Sequence, residues 1–391
     1  MPFIGINIHS VSLLCIFIQV GSSLMESLAS KLVPKAVQKL IPYQSARRLG
    51  GSGHLWLNAN ELETCAQYGD LSKGSNDHYN RYPDFLPHDT AQAYLNYCEQ
   101  EAGQLNAEIV TVRGADEAID LLIRTFCNPG NDQIIICPPT YGMYEFCADS
   151  FSVNTCKVPL LENFQLDVDK IKEQLSTSTL LFLCSPNNPT GNSINEADII
   201  TLLEASKDST LVVIDEAYIE FSKHNSALHL MNKYPHLIVI RTLSKAFGLA
   251  AIRCGFLIAD NSVMTYINRL IAPYPIADPT AEIALKALSQ DGLKAMLKQT
   301  TELIEIRQWF IEQLQELSIV KQLYSSETNF ILIRFDSSVS PYDYLMTQGV
   351  VTRNQAHETV LKDCVRITIG SQQSMIETLN VLKNLNLVAS A

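Results

Sequence analysis

Ser244, Lys245 and Arg253 lie in one short stretch, Arg241-Thr-Leu-Ser-Lys-Ala-Phe-Gly-Leu-Ala-Ala-Ile-Arg253, immediately after the apolar run 237–240. A lysine amine can form a Schiff base with an aldehyde. A hydroxyl and a guanidinium nearby can bind a phosphate, one by a hydrogen bond and the other by a charge-assisted fork. Together the three groups suit an aldehyde cofactor carrying a phosphate, which describes pyridoxal phosphate. Taken alone, the stretch reads more readily as a polar surface loop, so the case depends on what else the chain places beside it.

Two upstream segments supply partners. Leu211-Val-Val-Ile-Asp215-Glu-Ala-Tyr218 reads as a buried strand of a parallel sheet, four apolar residues without alternation ending in a carboxylate and a tyrosine. Thr179-Leu-Leu-Phe-Leu-Cys-Ser-Pro-Asn187-Asn188-Pro-Thr-Gly191 reads as another, closed by a Pro/Asn/Gly turn. Asn188, Asp215 and Lys245 follow one another at about one strand-helix-strand repeat of ~30 residues. In an open α/β sheet, the loops at the carboxyl ends of the strands line the ligand crevice, so these three residues can converge on one molecule.

The residue types match that chemistry. A carboxylate at Asp215 beside a pyridine nitrogen keeps the nitrogen protonated, and a protonated ring is the better electron sink. Asn188 and Tyr218 can donate hydrogen bonds to a phenolic oxygen on the ring. Singly, Asp215 reads equally as a helix cap, Asn188 as a turn residue and Tyr218 as packing. A fourth element adds a phosphate cradle. Residues 108–114 read as a strand and 115–126 as an amphipathic helix with acidic residues in its first turn, so free backbone N–H groups from Gly114 through Ala115 to Asp116 face a strand end. Tyr141, in Cys137-Pro-Pro-Thr-Tyr-Gly-Met-Tyr144, follows a further apolar run at 134–136 and is placed to stack on the ring.

These segments, Arg113-Gly-Ala-Asp, Pro138-Pro-Thr-Tyr-Gly-Met-Tyr, Ser185-Pro-Asn-Asn-Pro-Thr-Gly, Asp215-Glu-Ala-Tyr-Ile-Glu-Phe and Thr242-Leu-Ser-Lys-Ala-Phe-Gly-Leu, resemble the fold-type I pyridoxal phosphate aminotransferases. More narrowly, Pro42-Tyr-Gln-Ser-Ala-Arg-Arg, Leu57-Asn-Ala-Asn-Glu61, Asn80-Arg-Tyr-Pro, Ile271-Ala-Pro-Tyr-Pro and Ser326-Glu-Thr-Asn-Phe resemble the histidinol-phosphate aminotransferase family of histidine biosynthesis, over residues 41–387. The resemblance implies an α/β fold whose large domain holds a mostly parallel seven-stranded sheet between helices, with a smaller α+β C-terminal domain. It makes Lys245 the cofactor-bearing amine and proton carrier and pairs Asp215 with the ring nitrogen. Tyr218 and Asn188 go to the phenolic oxygen, Tyr141 onto the ring, and Ser244, Arg253 and the Gly114 to Asp116 backbone to the phosphate. It sends Tyr82 to the cofactor phosphate of a neighbouring subunit, which implies a homodimer with shared sites.

Both substrates that the resemblance implies are anions, histidinol phosphate with a phosphate monoester and 2-oxoglutarate with two carboxylates. Guanidinium groups serve either. Cys364-Val-Arg366-Ile-Thr-Ile-Gly370 alternates like a half-buried strand that would fix Arg366, and Arg353 is expected to end a strand beginning at Val350, though it also reads as a solvated strand end. The resemblance makes Arg366 the main anion ligand, assisted by Arg353, Tyr43 and Asn60. One departure from the family pattern follows Glu61, where a proline is usual and this chain has Leu-Glu-Thr-Cys-Ala-Gln-Tyr. Residues 62–77 are therefore read as a mobile loop with no ligands assigned. A decarboxylase acting on threonine phosphate, an aromatic aminotransferase, and a non-catalytic protein that kept the fold are the alternatives.

Composition sets the outer limits. A chain of 391 residues exceeds what one core usually serves, and 47% apolar with 18% charged residues describes a folded enzyme rather than a disordered chain. A net charge of −12 argues against nucleic acid as a partner. The ten cysteines are scattered without a C-x-x-C pair and read as reduced thiols of a cytoplasmic protein; the eight histidines, His224 and His229 included, show no metal-ligand spacing. Residues 11–20 form a mostly apolar, uncharged stretch that mimics a secretory core but lacks basic residues ahead of it and is too short to span a bilayer. The first 24 residues are read as an extension outside the fold. The expected organisation is an arm and loop at 25–78, a cofactor domain at 79–278 and a small domain at 279–391, with helices at 279–317 interrupted near 289–292, strands at 329–335, 350–353 and 365–369, and a closing helix at 375–385.

Overall fold

The structure is a computed structural model that describes residues 27–41 and 81–389. Its centre is a seven-stranded sheet of β1 (Glu108–Val112), β2 (Gln133–Ile136), β3 (Asn154–Lys157), β4 (Leu180–Cys184), β5 (Leu211–Asp215), β6 (Leu237–Thr242) and β7 (Gly255–Ala259). They lie in the order β1-β7-β6-β5-β4-β2-β3, and β7 alone runs against its neighbours. All five residues of β4, of β5 and of β7, and all six of β6, are buried. This burial on both faces explains why β4, β5 and β6 carry continuous apolar runs instead of alternating ones.

Alternation reappears in where the side chains go. Phe182, Val213, Ile240 and Leu257 pack on one face with Ile119 and Leu122 of the helix Ala115–Phe126 and with Val263 and Ile267 of the helix Asn261–Leu270. Leu183, Ile214, Val239 and Phe256 pack on the other with Tyr94 and Cys98 of the helix His88–Ala102 and with Leu202 and Leu203 of the helix Glu196–Ser206. The period of two along each strand thus builds three layers and orients every strand-end residue to one face or the other.

A second, antiparallel sheet is formed by β8 (Val320–Leu323), β9 (Phe330–Phe335), β10 (Arg353–Asn354) and β11 (Cys364–Thr368), in the order β10-β11-β9-β8. Its apolar face, with Ile331, Ile333, Val365 and Ile367, packs against Phe310 and Leu314 of the helix Gln290–Leu314 and Leu379 and Leu382 of the helix Gln372–Ala389. The expected interruption is real: the helix Asp278–Ala287 ends, and Ser289 caps the next one by accepting from the Gly292 N–H at 3.2 Å. One expectation fails. Residues 350–352 are not a strand, and Arg353 opens the two-residue β10 instead of ending a longer strand. The helix Pro341–Thr347 closes into a turn at Gly349, φ +80°, so Val350 is spent bonding back to the Leu345 carbonyl at 2.9 Å rather than entering the ladder. β3, β7 and β8 are strands that the sequence reading did not mark.

Two glycines set the approach of the helix Ala115–Phe126 to the sheet. Gly114 caps the helix Ala115–Phe126 at φ +79°, and a Cβ there would lie 2.7 Å from Nη2 of Arg253. A Cβ on Gly255 would stand 2.7 Å from the Gly114 carbonyl carbon and 2.8 Å from the Ala115 nitrogen, a collision with backbone that no rotamer relieves. Gly255→Ala is expected to destabilise the fold by about 1–3 kcal/mol through overpacking. It should also displace the turn at Gly114. Thermal melts with and without pyridoxal phosphate check this, since a variant that melts like the parent and gains as much from the cofactor would rule out that tight contact.

Candidate active site

The carboxyl ends of β4, β5 and β6 open into a cavity of about 580 Å³. Its lining includes Ala115, Asp116, Tyr141, Asn188, Asp215, Tyr218, Ser244, Lys245, Arg253, Arg353 and Arg366, residues that come from both sheets and are spread over most of the chain. Gly114 is not in the lining but lies directly behind it, against Arg253. Tyr82 is elsewhere: it stacks on Tyr274 with ring centroids 4.6 Å apart and does not line this chain's cavity. Tyr43 and Asn60, and the loop at 62–77, fall outside the described residues.

Asp215 ends β5 and is only 2% exposed. Its Oδ2 accepts from the Tyr144 hydroxyl at 2.8 Å and its Oδ1 from the Ala217 N–H at 3.1 Å. Burial pushes its carboxyl up to about 6, against the lowering pull of those two donors. A buried acid raised in this way destabilises the folded chain wherever it must be ionised. The folded state holds the proton between the unfolded value near 3.8 and about 6, so stability falls as pH rises through that window and stays lowered above it. At about 1.4 kcal/mol per unit, the penalty is on the order of 3 kcal/mol. Asp215→Asn is therefore expected to raise the melting temperature of cofactor-free protein at pH 8 and to leave it nearly unchanged at pH 4. An equal shift at both pH values would show that ionisation is not the cause.

Lys245 lies in the turn that leaves β6, closed by Gly248 N–H bonding to the Lys245 carbonyl at 3.0 Å and Leu249 N–H to the Leu243 carbonyl at 3.1 Å. Its ammonium stands 5.4 Å from the centre of the Tyr218 ring. Burial, with Arg366 adding to it, holds its pKa below the ordinary lysine value, which raises the fraction present as free amine. Ser244 is set by Thr242, whose Oγ1 donates to Ser244 Oγ at 3.0 Å and accepts the Ser244 N–H at 3.1 Å.

Arg253 adopts a left-handed backbone, φ 54°, and its guanidinium reaches the helix Ala115–Phe126. There its Nη2 bonds to Oδ2 of Asp116 at 3.2 Å, while the Tyr141 hydroxyl donates to Oδ1 of the same carboxylate at 2.9 Å. The sequence reading assigned Asp116 only a backbone role; its side chain also ties together the residues expected to hold phosphate and ring. The start of that helix has no side-chain cap, which leaves backbone N–H groups facing the cavity as an anion site.

At the other end, Arg353 and Arg366 are directly opposed in the β10–β11 register. Like charges paired across two strands repel, and an anion between them relieves the repulsion. Arg366 Nη1 donates to Asn188 Oδ1 at 2.5 Å, its guanidinium stacks over the Phe330 ring at 5.1 Å, and its Nε is buried with no hydrogen-bond partner among the described residues. Since Asn188 accepts from Arg366 through its oxygen, its amide N–H groups remain to donate elsewhere.

Several residues in or behind the cavity lining had no assigned role in the sequence. Tyr144 was visible as the second tyrosine of its motif, one helical turn after Tyr141, but only the fold reveals that it reaches Asp215. Thr242 carried a weak signal as the hydroxyl two residues before Ser244. Gln355, His357 and Glu358, which line the rim beyond β10, carried none.

Comparison with known proteins settles the family. The family model described as aminotransferase class I and II matches residues 53–382. The chain belongs to that family. It is 44% identical over 352 residues to a histidinol-phosphate aminotransferase of Salmonella paratyphi B, covering 90% of this chain and 96% of the relative, and equally identical to one of Escherichia coli O81, of which it covers 97%. A crystal structure of histidinol-phosphate aminotransferase from Clostridium acetobutylicum superposes with a TM-score of 0.71 at 27% identity, over 78% of this chain and 90% of that one. The mixed sheet of this aminotransferase, with β7 alone reversed, and its separate antiparallel sheet are the fold-type I architecture expected from the motifs.

Among the described residues, no group of three or more His, Cys, Asp or Glu side chains could hold a metal ion, and no helix is long and apolar enough to cross a membrane. His224 and His229 each face a glutamate, Glu327 and Glu196, at 3.5 Å. The eight described cysteines are free thiols, all buried but Cys156.

Proposed function

We propose that the protein transfers the amino group of L-histidinol phosphate to 2-oxoglutarate, giving imidazole acetol phosphate and L-glutamate, as a step of histidine biosynthesis with pyridoxal 5'-phosphate as cofactor. One observation carries the reading: a single cavity has an amine and a buried carboxylate at one end and a cross-strand arginine pair at the other. The names of the relatives at 44% identity support the choice of amine donor.

The residues present fit the cofactor. Lys245 offers the amine for its aldehyde, Asp215 a buried acceptor for its ring nitrogen, and Asn188 and Tyr218 donors for its phenolic oxygen. Tyr141 would cover the ring, while Ser244, Arg253 and the backbone from Gly114 to Asp116 would take the phosphate. When bound, pyridoxal phosphate supplies an electron sink for the bond pair at the substrate Cα. The protein does the rest. Lys245, as a free amine, would take the proton from the substrate Cα and return it on the far side of the amino nitrogen. Asp215 would keep a ring nitrogen protonated, and that positive charge would offset the cost of burying the carboxylate. Arg366 and Arg353 grip phosphate in one half-reaction and carboxylate in the other, the same fork serving both. Asn188, bonded to Arg366, links the anion subsite to the cofactor subsite.

The same reading makes the enzyme a cytoplasmic homodimer, with Tyr82 acting on the neighbouring subunit's cofactor phosphate and Tyr43 and Asn60 assisting at the substrate. It divides the chain into a cofactor unit at 79–278 and a smaller one at 279–391. A coupled assay for glutamate formed from histidinol phosphate and 2-oxoglutarate tests the proposal. Turnover with phenylalanine but not histidinol phosphate, or release of carbon dioxide from threonine phosphate, would replace it with one of the alternative activities.

A further inference from the structure

Behind the cavity, on the other face of the same two strands, sits a buried charge cluster that no step above uses. Asp215 and Thr242 line the cavity, so their neighbours Glu216 and Arg241 are directed away from it. The Arg241 side chain is 0% exposed. Its Nε donates to Glu216 Oε2 at 2.7 Å and its Nη2 to Ser226 Oγ at 2.8 Å; its Nη1 lies 3.5 Å from Glu220 Oε1 and its Nη2 3.5 Å from Glu101 Oε2. Glu216 in turn accepts from the Ser226 hydroxyl at 2.7 Å and the Ala227 N–H at 2.6 Å.

Such a cluster is a poor source of stability. Each buried ion loses several kcal/mol of hydration, and apolar side chains would fill the same space. Here three carboxylates share one guanidinium. Among the described residues the Glu220 oxygens and Arg241 Nη1 make no hydrogen bond, and burial pushes the Glu220 carboxyl up to about 7. What a guanidinium fork provides that apolar packing does not is direction. This fork joins β6 to the end of β5, to the turn Ile219–Phe221 that follows Tyr218, and to the helix His88–Ala102. It does so where the ladder is about to end: Asp215 is registered opposite Ile240, and the Glu216 N–H bonds to the Ile240 carbonyl at 2.9 Å. Beyond that point the two strands part, one toward Tyr218 and the other toward Ser244 and Lys245.

We propose that Arg241, held by Glu216, is a positioning residue that sets Asp215 and Tyr218, on one strand end, against Ser244 and Lys245 on the other. The inference rests on the assignment of Lys245 and Asp215 made above. Two variants separate charge from geometry: Glu216→Gln keeps the shape without the charge, and Arg241→Lys keeps the charge without the fork. Both are loaded with pyridoxal phosphate, and the visible absorption band is titrated with pH in the absence of substrate. The midpoint is expected to move by about half a unit or more, since that band reports the charges at both ends of the cofactor. In turnover, kcat should fall about tenfold to a hundredfold, as small misplacements at a reacting centre do. KM should stay within about threefold, because the anion-binding arginines sit on another sheet. Ser226→Ala removes one acceptor of Arg241 and one donor to Glu216 but leaves the Arg241–Glu216 pair, so it should move the midpoint less and in the same sense, and it supplies the measurement if neither other variant folds. Variants that melt earlier but keep the parent midpoint and kcat overturn the proposal and leave the cluster a structural one. If the unaltered protein forms no visible band with pyridoxal phosphate, the assignment of Lys245 fails first, and this inference with it.

Discussion

Lys245→Ala is expected to abolish transamination, with turnover at least about 10⁴-fold below the parent, and to remove the visible absorption that the parent develops with pyridoxal phosphate. Lys245 is the only lysine among the described residues lining the cavity, so none of the other described lining residues offers an amine that could replace it in bonding the aldehyde or moving the proton. The loss should be chemical and not structural. The side chain is partly buried at a cost to its charge, so removing it should not lower the melting temperature of the cofactor-free protein. Small primary amines added to the variant should restore part of the proton-transfer rate. A variant that keeps near-normal turnover would remove the assignment outright, and one that loses activity only because it unfolds would leave its melting curve as the evidence.

Arg366→Gln is expected to lower kcat/KM about 10²- to 10³-fold for histidinol phosphate and for 2-oxoglutarate alike, mostly through KM. The equality of the two effects is what identifies a shared anion subsite. Arg366 is held in place by Asn188 and by the face of Phe330, and its buried Nε has no hydrogen-bond partner among the described residues, so a fixed donor is presented to whichever anion arrives. Arg366→Lys should rescue little, because an ammonium cannot reproduce the fork. Arg353, registered opposite but exposed, should lose less on the same substitution, about tenfold, since solvent already screens it. Steady-state kinetics with each substrate varied in turn gives the comparison. A large effect on the phosphate substrate with none on the dicarboxylate would mean that the two bind at different places.

The buried strands β4, β5 and β6 were legible because a parallel sheet covered on both faces demands uninterrupted apolar runs, and the polar residue ending each run announced the cavity edge. The helix Ala115–Phe126 was legible to the residue, with a glycine before it and acidic residues in its first turn. β7 was not marked, although Gly255–Ala259 is as apolar as its neighbours, because an antiparallel strand within a mostly parallel sheet has no local signature. Residues 350–352 misled in the opposite way: β-branched residues in a row look like a strand, but the turn at Gly349 took their first hydrogen bond.

Sequence alone therefore determined the chemical inventory and its order along the chain: an amide, a carboxylate, an amine with a hydroxyl and an arginine near it, and two further arginines toward the end. These follow from residue type and from one-dimensional periodicity, which local physics makes visible. Only the tertiary structure decided the couplings. That Tyr144 holds Asp215, that Asp116 joins Arg253 to Tyr141, that Asn188 meets Arg366, and that Arg241 anchors the same strands from behind depend on which faces are brought together. Those pairings span up to 178 residues of chain, and no local pattern encodes them.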